Sequence, residues 1–314
     1  MYSRPIIATL SAVALAASTL LPGTAAAEGP EPQPVATIAF QKVSFPTDPR
    51  FTQLLGINDR NVISGYHGDE GTEQTPNKGF TLKLPATFTD ENFPNSVQTQ
   101  VVGINTSADT VGFYIDQAGT THGFIKSKEF ATVDLPGTAF NQLLGINNKD
   151  QAAGYFQDAS GLQHAYVHEA TGEFLVLNIP MPSSQATGIN DSGTVVGFEQ
   201  ASPAATTASG FILKNHKLTV LNFPGSTFTQ ALGINNNGEV VGSYNDPNGV
   251  THGFTYHDGH FAQVDVPGAT STVVNGLNNN GRIVGFFVDA NGNTVGLVGD
   301  ARANNDDKVN DDRQ

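Results

Sequence analysis

Cysteine and tryptophan are absent from the 314 residues, methionine occurs twice, and charged side chains make up only 14%. Without cysteine there is no disulfide framework and no thiolate nucleophile, so stability must come from a core large enough to do without cross-links. Sparse charge argues against amphipathic helices and for many short strands joined by tight turns. The missing tryptophan weakens a sugar-stacking platform, although Phe and Tyr can still supply one. Lys and Arg total 15 against 29 Asp and Glu, a net charge of −14. Nucleic acid and anionic lipid are poor partners for such a surface, because both need compensating basic groups.

Glycine, by contrast, is abundant at 34 residues, and a Gly-Ile/Leu-Asn triplet begins at Gly56, Gly103, Gly145, Gly188, Gly233 and Gly276. The spacings of 47, 42, 43, 45 and 43 residues are those of β-propeller blades. Each unit contains four strand-like stretches, a to d in chain order. In the fifth they read Gln230 to Asn235, Val240 to Asn245, His252 to Tyr256 and Phe261 to Pro267. The sixth unit stops after strand c, at Asn293 to Gly299, while an unmatched strand d, Phe40 to Pro46, precedes the first triplet. Six copies of every strand exist only if that N-terminal strand completes the last blade, which removes the open ends of a linear array. The expectation is an all-β, six-bladed propeller of four-stranded blades, one domain over 38–300, closed by its N-terminal strand.

Turn chemistry follows the same period. Asn58, Asn105, Asn147, Asn190, Asn235 and Asn278 end strand a and read as turn formers, helped in three units by a glycine three residues on. Between strands b and c, Asp116, Asp158, Asp246 and Asp289 each open an Asp-x-x-Gly turn. The triplet glycine suits six strands crowded at one axis. Its apolar neighbours, such as Leu55 and Ile57, are expected to pack between blades rather than to form a central plug.

The N-terminus has Arg4, an apolar run from Ile6 to Leu21 and a small-residue site at Ala25 to Ala27. This pattern predicts a signal peptide over 1–27, cleaved after Ala27, and hence an exported protein, extracellular or periplasmic, with no membrane span. Cleavage takes the net charge from −14 to −15, since Arg4 is the only charged residue removed. Residues 28–37 read as a linker, and the polar, charge-dense 301–314 as a disordered tail.

At strand c the chain reads His122-Gly123-Phe124, His164-Ala165-Tyr166 and His252-Gly253-Phe254, with Val-Asp-x-Pro-Gly following at 133 to 137 and 264 to 268. Together with Gly-Ile-Asn-x-x-Gly-x-Val-Val-Gly, this resembles the bacterial extracellular repeat family named for its His-Ala-Phe (HAF) motif. The resemblance spans nearly all of the expected mature chain. Lys78, Ser209 and Val295 replace the His in the first, fourth and sixth units. What it implies is export and a repeat fold, with no catalytic residue to carry over.

Among chemistry-bearing residues, the hairpin register sets Tyr114 opposite His122, Phe156 opposite His164 and Tyr244 opposite His252, a packing device more than a metal ring. His257 and His260 flank an Asp-Gly turn and could ligate a cation, but no third fixed ligand is visible. The Asp-x-x-Gly turns lack the later Glu of a calcium loop, so turn formation is their simpler role. Gln53, Gln100, Gln142, Gln185 and Gln230 lie three residues before the triplet glycine, with Val273 breaking the series. They form either a ligand-binding axial collar or amide cross-links between blades. No Gly-x-Ser-x-Gly elbow is present, and no cofactor or metal is implied. The leading reading is a non-enzymatic, monomeric propeller presenting loops to an extracellular protein or polysaccharide. The alternative is a hydrolase or lyase using carboxylates or His at the axial mouth on a polysaccharide or ester, since the required carboxylate separations of roughly 5 to 10 Å are properties of space. Irregular stretches at His67 to Asn77, Pro85 to Ser96 and Glu199 to Ala208 are where function is expected.

Overall fold

The computed structural model describes residues 38–68 and 76–300. The predicted signal peptide, linker and tail, and most of the blade-one insertion, lie outside them. Among the described residues there are 24 strands, β1 to β24, and no helix. They form six antiparallel sheets of four strands each, the blades of a propeller. Blade one is β2 (Thr52–Ile57), β3 (Val62–His67), β4 (Lys78–Lys83) and β5 (Thr87–Asp90), paired in that order. Blade five is β18 (Thr229–Ile234), β19 (Val240–Asn245), β20 (Thr251–His257) and β21 (His260–Val264), within a few residues of the stretches read from the sequence.

The last blade holds β22 (Ser271–Leu277), β23 (Arg282–Val288) and β24 (Thr294–Asp300), with β1 (Phe40–Val43) as its outer strand. Phe40 stands opposite Gly299 and Val43 opposite Gly296. Blade six then meets blade one, where Asn275 Nδ2 donates to the Leu54 carbonyl at 3.0 Å.

Glycine and aromatics set the packing within each blade. A Cβ on Gly112 of strand b would lie 2.0 Å from the Gln100 carbonyl oxygen and 2.9 Å from the Phe124 ring, so the strand-c ring folds over a position that only glycine can occupy. Phe80, Phe124, Phe211 and Phe254 repeat this placement and are fully buried, each contributing about 1.5 to 3 kcal/mol of apolar transfer. Between blades, the aromatic before the strand-d proline stacks on strand b of the next blade. Phe45 lies 3.7 Å from His67, Phe93 3.7 Å from Tyr114 and Phe223 3.5 Å from Tyr244.

One expectation needs correction and another needs extending. Pro85 to Ser96 is not an irregular insertion, because Thr87–Asp90 is strand d of blade one, with Phe80 opposite Asp90. Leu55 and Ile57 pack against neighbouring blades as expected, Leu55 with Val102 and Phe113 and Ile57 with Val284 and Val298, but the residue before each triplet glycine also faces the axis. In all six a strands the ladder register shifts at that residue, leaving Leu55, Val102, Leu144, Thr187, Leu232 and Asn275 as the extra residue of a β-bulge. Each bulge turns its side chain to the axis.

Candidate functional site

The axis is built from the triplets outward. A Cβ on Gly145 would lie 2.9 Å from the Gly188 Cα, and the corresponding distances are 3.4 Å from Gly188 to Gly233, 3.1 Å on to Gly276, 3.3 Å on to Gly56, 3.3 Å on to Gly103 and 3.0 Å back to Gly145. The six glycines therefore close a tight backbone ring, in which a side chain at Gly56, Gly103, Gly145, Gly233 or Gly276 would press on its neighbours. The bulge residues, the glycines and the following Ile or Leu line a mostly apolar cavity of about 100 Å³, with Thr187 and Asn275 as its polar side chains. Both are engaged: Thr187 Oγ1 donates to the Ala231 carbonyl at 2.8 Å, and Asn275 to Leu54.

The triplet asparagines form a second ring, next to the glycines and lining a polar axial mouth. Asn58 Nδ2 donates to the Asn105 carbonyl at 2.9 Å, Asn105 to Asn147 at 3.5 Å, Asn147 to Asn190 at 3.0 Å, Asn190 to Asn235 at 3.0 Å, Asn235 to Asn278 at 3.2 Å, and Asn278 back to Asn58 at 3.1 Å. The Oδ1 of the same residue caps its own turn, as where Asn58 accepts from the Arg60 and Val62 amides. One buried amide thus serves both the turn and the neighbouring blade. Just outside, the Asn148, Asp191, Asn236 and Asn279 amides each donate to the side-chain oxygen of the next blade's corresponding residue, at 2.8 or 2.9 Å. Reading the asparagines as turn formers alone missed this linkage.

The five glutamines occupy a different place. None lines either axial cavity. Gln53, Gln100, Gln142 and Gln185 are buried and Gln230 is half-buried, each facing strand b across its own ladder. Gln53 Oε1 accepts from Tyr66 at 2.7 Å, and Gln142 Oε1 from Tyr155 at 2.9 Å, both within one blade. Gln185 instead reaches across a blade boundary, donating to Gln163 Oε1 at 2.8 Å. Gln100 faces Phe113, which has no hydroxyl, and neither of its amide atoms has a partner.

On the opposite face, where the b to c turns lie, the register places Tyr114 opposite His122, Phe156 opposite His164 and Tyr244 opposite His252, with ring centroids 5.0 to 5.2 Å apart. Each His is also held by carboxylates. His122 Nδ1 is 2.6 Å from Asp134 and its Nε2 3.4 Å from Asp116; His252 Nδ1 is 2.8 Å from Asp265; His164 Nε2 is 2.8 Å from Asp158. Burial pushes the His122 imidazole down, but Asp134 and Asp116 outweigh it and its pKa rises. At His252 the Asp265 contact exceeds the burial penalty, with the same result. The turn aspartates go the other way. Asp116 is held below the usual carboxylate range by the Thr120 amide first and by His122 as well, and Asp158 by His164. At His122 and His252 these contacts clamp the b to c turn to the end of strand d, whereas His164 ties down only its own turn through Asp158. His257 and His260 end a c to d hairpin as its last pair, about Asp258 and Gly259. No group of three or more His, Asp or Glu able to hold a metal is found among the described residues.

No family model matches the sequence, and no curated protein matches it significantly. Solved structures similar to it are propellers of remote sequence. A protein described as a candidate gluconolactonase superposes with a TM-score of 0.53 at 11% identity, over 85% of this chain and 93% of that one. TolB from Acinetobacter baumannii gives 0.52 at 8% identity, over 79% of this chain and 63% of its own length. The β-propeller domain of the Trilobed protease from Pyrococcus furiosus, described as having an open velcro topology, gives 0.50 at 8%, over 80% and 94%. At such identities the likeness is one of fold alone.

Proposed function

We propose that this chain is an exported, non-enzymatic binding module whose b to c face recognises an extracellular protein or polysaccharide. One observation carries the reading: two of the six b to c connections are long, and they sit in blades one and four. Ten residues separate β3, ending at His67, from β4, beginning at Lys78; in blade four, eight separate β15 (Val195–Gln200) from β16 (Ser209–Lys214). The blades of four-residue Asp-x-x-Gly turns lie between them. Members one and four of a six-membered ring are opposite, so the two connections leave the b to c face on opposite sides of the axis. Irregular loops on a rigid scaffold are where recognition is placed. The repeated His, Asp and Asn side chains support the same view, since their polar atoms are engaged in clamps and rings.

The test is binding by the full mature chain and by a variant whose Ala201 to Ala208 loop is replaced with a four-residue Asp-x-x-Gly turn. A glycan array and a pull-down from culture medium are read in parallel. Loss of the captured glycan or protein with an unchanged melting temperature is expected. Retention of every signal, or turnover of a polysaccharide or model ester by the purified chain, would overturn the reading. N-terminal sequencing of the exported protein should begin at Glu28.

A further inference from the structure

The perimeter of the ring is not uniform. The large apolar side chains most exposed among the described residues are Leu175, Val176, Met181, Val220 and Val250. Leu175 and Val176 lie on β13 (Phe174–Val176), the outer strand of blade three, and Val220 lies on β17 (Lys217–Leu221), the outer strand of blade four. They are 50%, 48% and 48% exposed. Met181 stands in the connection that joins those two blades. The exposed positions on the outer strands of blades one, two and six are Thr87, Thr89, Asp90, Ala131, Thr132, Gln41 and Lys42. An outer strand with unpaired backbone groups is ordinarily blunted by such polar residues. Two adjacent blades depart from that pattern.

Charge beside the patch is divided by blade. The c to d turn of blade three leads into β13 through exposed Glu173, whereas the two-residue turn of blade four sits between Lys214 and Lys217, both exposed. All c to d turns open on the same face of the ring. A two-fold axis parallel to the propeller axis would therefore set the Glu173 turn of one copy against the Lys217 turn of the other, twice. The same operation places Leu175 and Val176 against Val220 of the second copy. The surface is self-complementary in charge and in apolar content, as an isologous dimer contact requires.

We infer that blades three and four form a dimerisation surface for a second copy of this chain, side by side with parallel propeller axes. The convex perimeter limits the contact, so the dimer is concentration-dependent. Both b to c faces then point the same way, and a multivalent ligand meets two sites at once.

Sedimentation velocity of the full chain, from about 1 μM to about 1 mM, tests this. Dimer growing with concentration is expected. Val220→Lys, at a half-exposed site, should weaken it at least tenfold with an unchanged thermal melt. Glu173→Lys should weaken it as well, and Glu173→Lys with Lys217→Glu should restore it. A monomer at every concentration would overturn the inference and leave the patch to a different partner. A dimer indifferent to Val220→Lys, or a charge swap that fails to restore association, would overturn it too.

Discussion

If the triplet asparagines were turn formers only, aspartate would replace them without cost, since Asp caps such turns as well as Asn does. The ring predicts otherwise, and Asn190→Asp separates the two. Asn190 Oδ1 accepts from the Ser192 and Thr194 amides, both at 3.1 Å, while Nδ2 donates to the buried Asn235 carbonyl at 3.0 Å. Aspartate keeps the first pair and deletes the donor, turning a carboxylate oxygen toward a carbonyl oxygen. Losing a neutral hydrogen bond costs about 1 kcal/mol, and burying an unpaired carboxylate oxygen against the carbonyl, which keeps only the Gly238 amide at 3.2 Å, adds about 1 to 3. A total near 3 kcal/mol corresponds to a fall in Tm of about 6 to 12 °C for a domain of this size. The new carboxyl has its folded-state pKa raised above the unfolded value of about 3.9, so the deficit is present at neutral pH and shrinks as pH falls through the folded value, when the protonated group donates again. Denaturant or thermal unfolding of wild type and variant at pH 7 and at about pH 3 measures both effects. A variant within about 0.5 kcal/mol of wild type at pH 7 would refute the linkage.

Two further outcomes follow from named contacts. Phe113→Tyr gives Gln100 the hydroxyl that Gln53 and Gln142 already receive from Tyr66 and Tyr155, and should stabilise by about 1 kcal/mol; a lower melting temperature would show that the pocket has no room for it. For His122→Gln, the raised imidazole pKa means that the native clamp contributes fully below the unfolded pKa of about 6.5 and is lost as pH rises through the folded value. Because the partner Asp116 is depressed, its contribution fades on the acid side as pH falls through the folded carboxylate value. The Tm gap between wild type and His122→Gln should thus be wider at pH 5.5 than at pH 8.5, a span across which an imidazole empties; a gap that is flat or widens with pH would sink the clamp.

Periodicity by itself determined the blade count, the four strands of each blade and the placement of β1 beside β24, because the hydrophobic pattern and turn residues repeat in register and a missing strand leaves its mark at the other end of the chain. It also held an unread signal. Strand a always ends in Asn whereas the b to c turns use Asp, a distinction that turn geometry does not require but a donor to the next blade does. Tertiary structure decided everything that depends on what lies across a blade boundary. The asparagine ring and the reach of Thr187 to Ala231 and of Asn275 to Leu54 join residues more than forty positions apart, and pairing with Tyr66 and Tyr155 holds Gln53 and Gln142 away from the axis. A one-dimensional repeat states which positions are equivalent; only the closed ring states which neighbour each equivalent position meets.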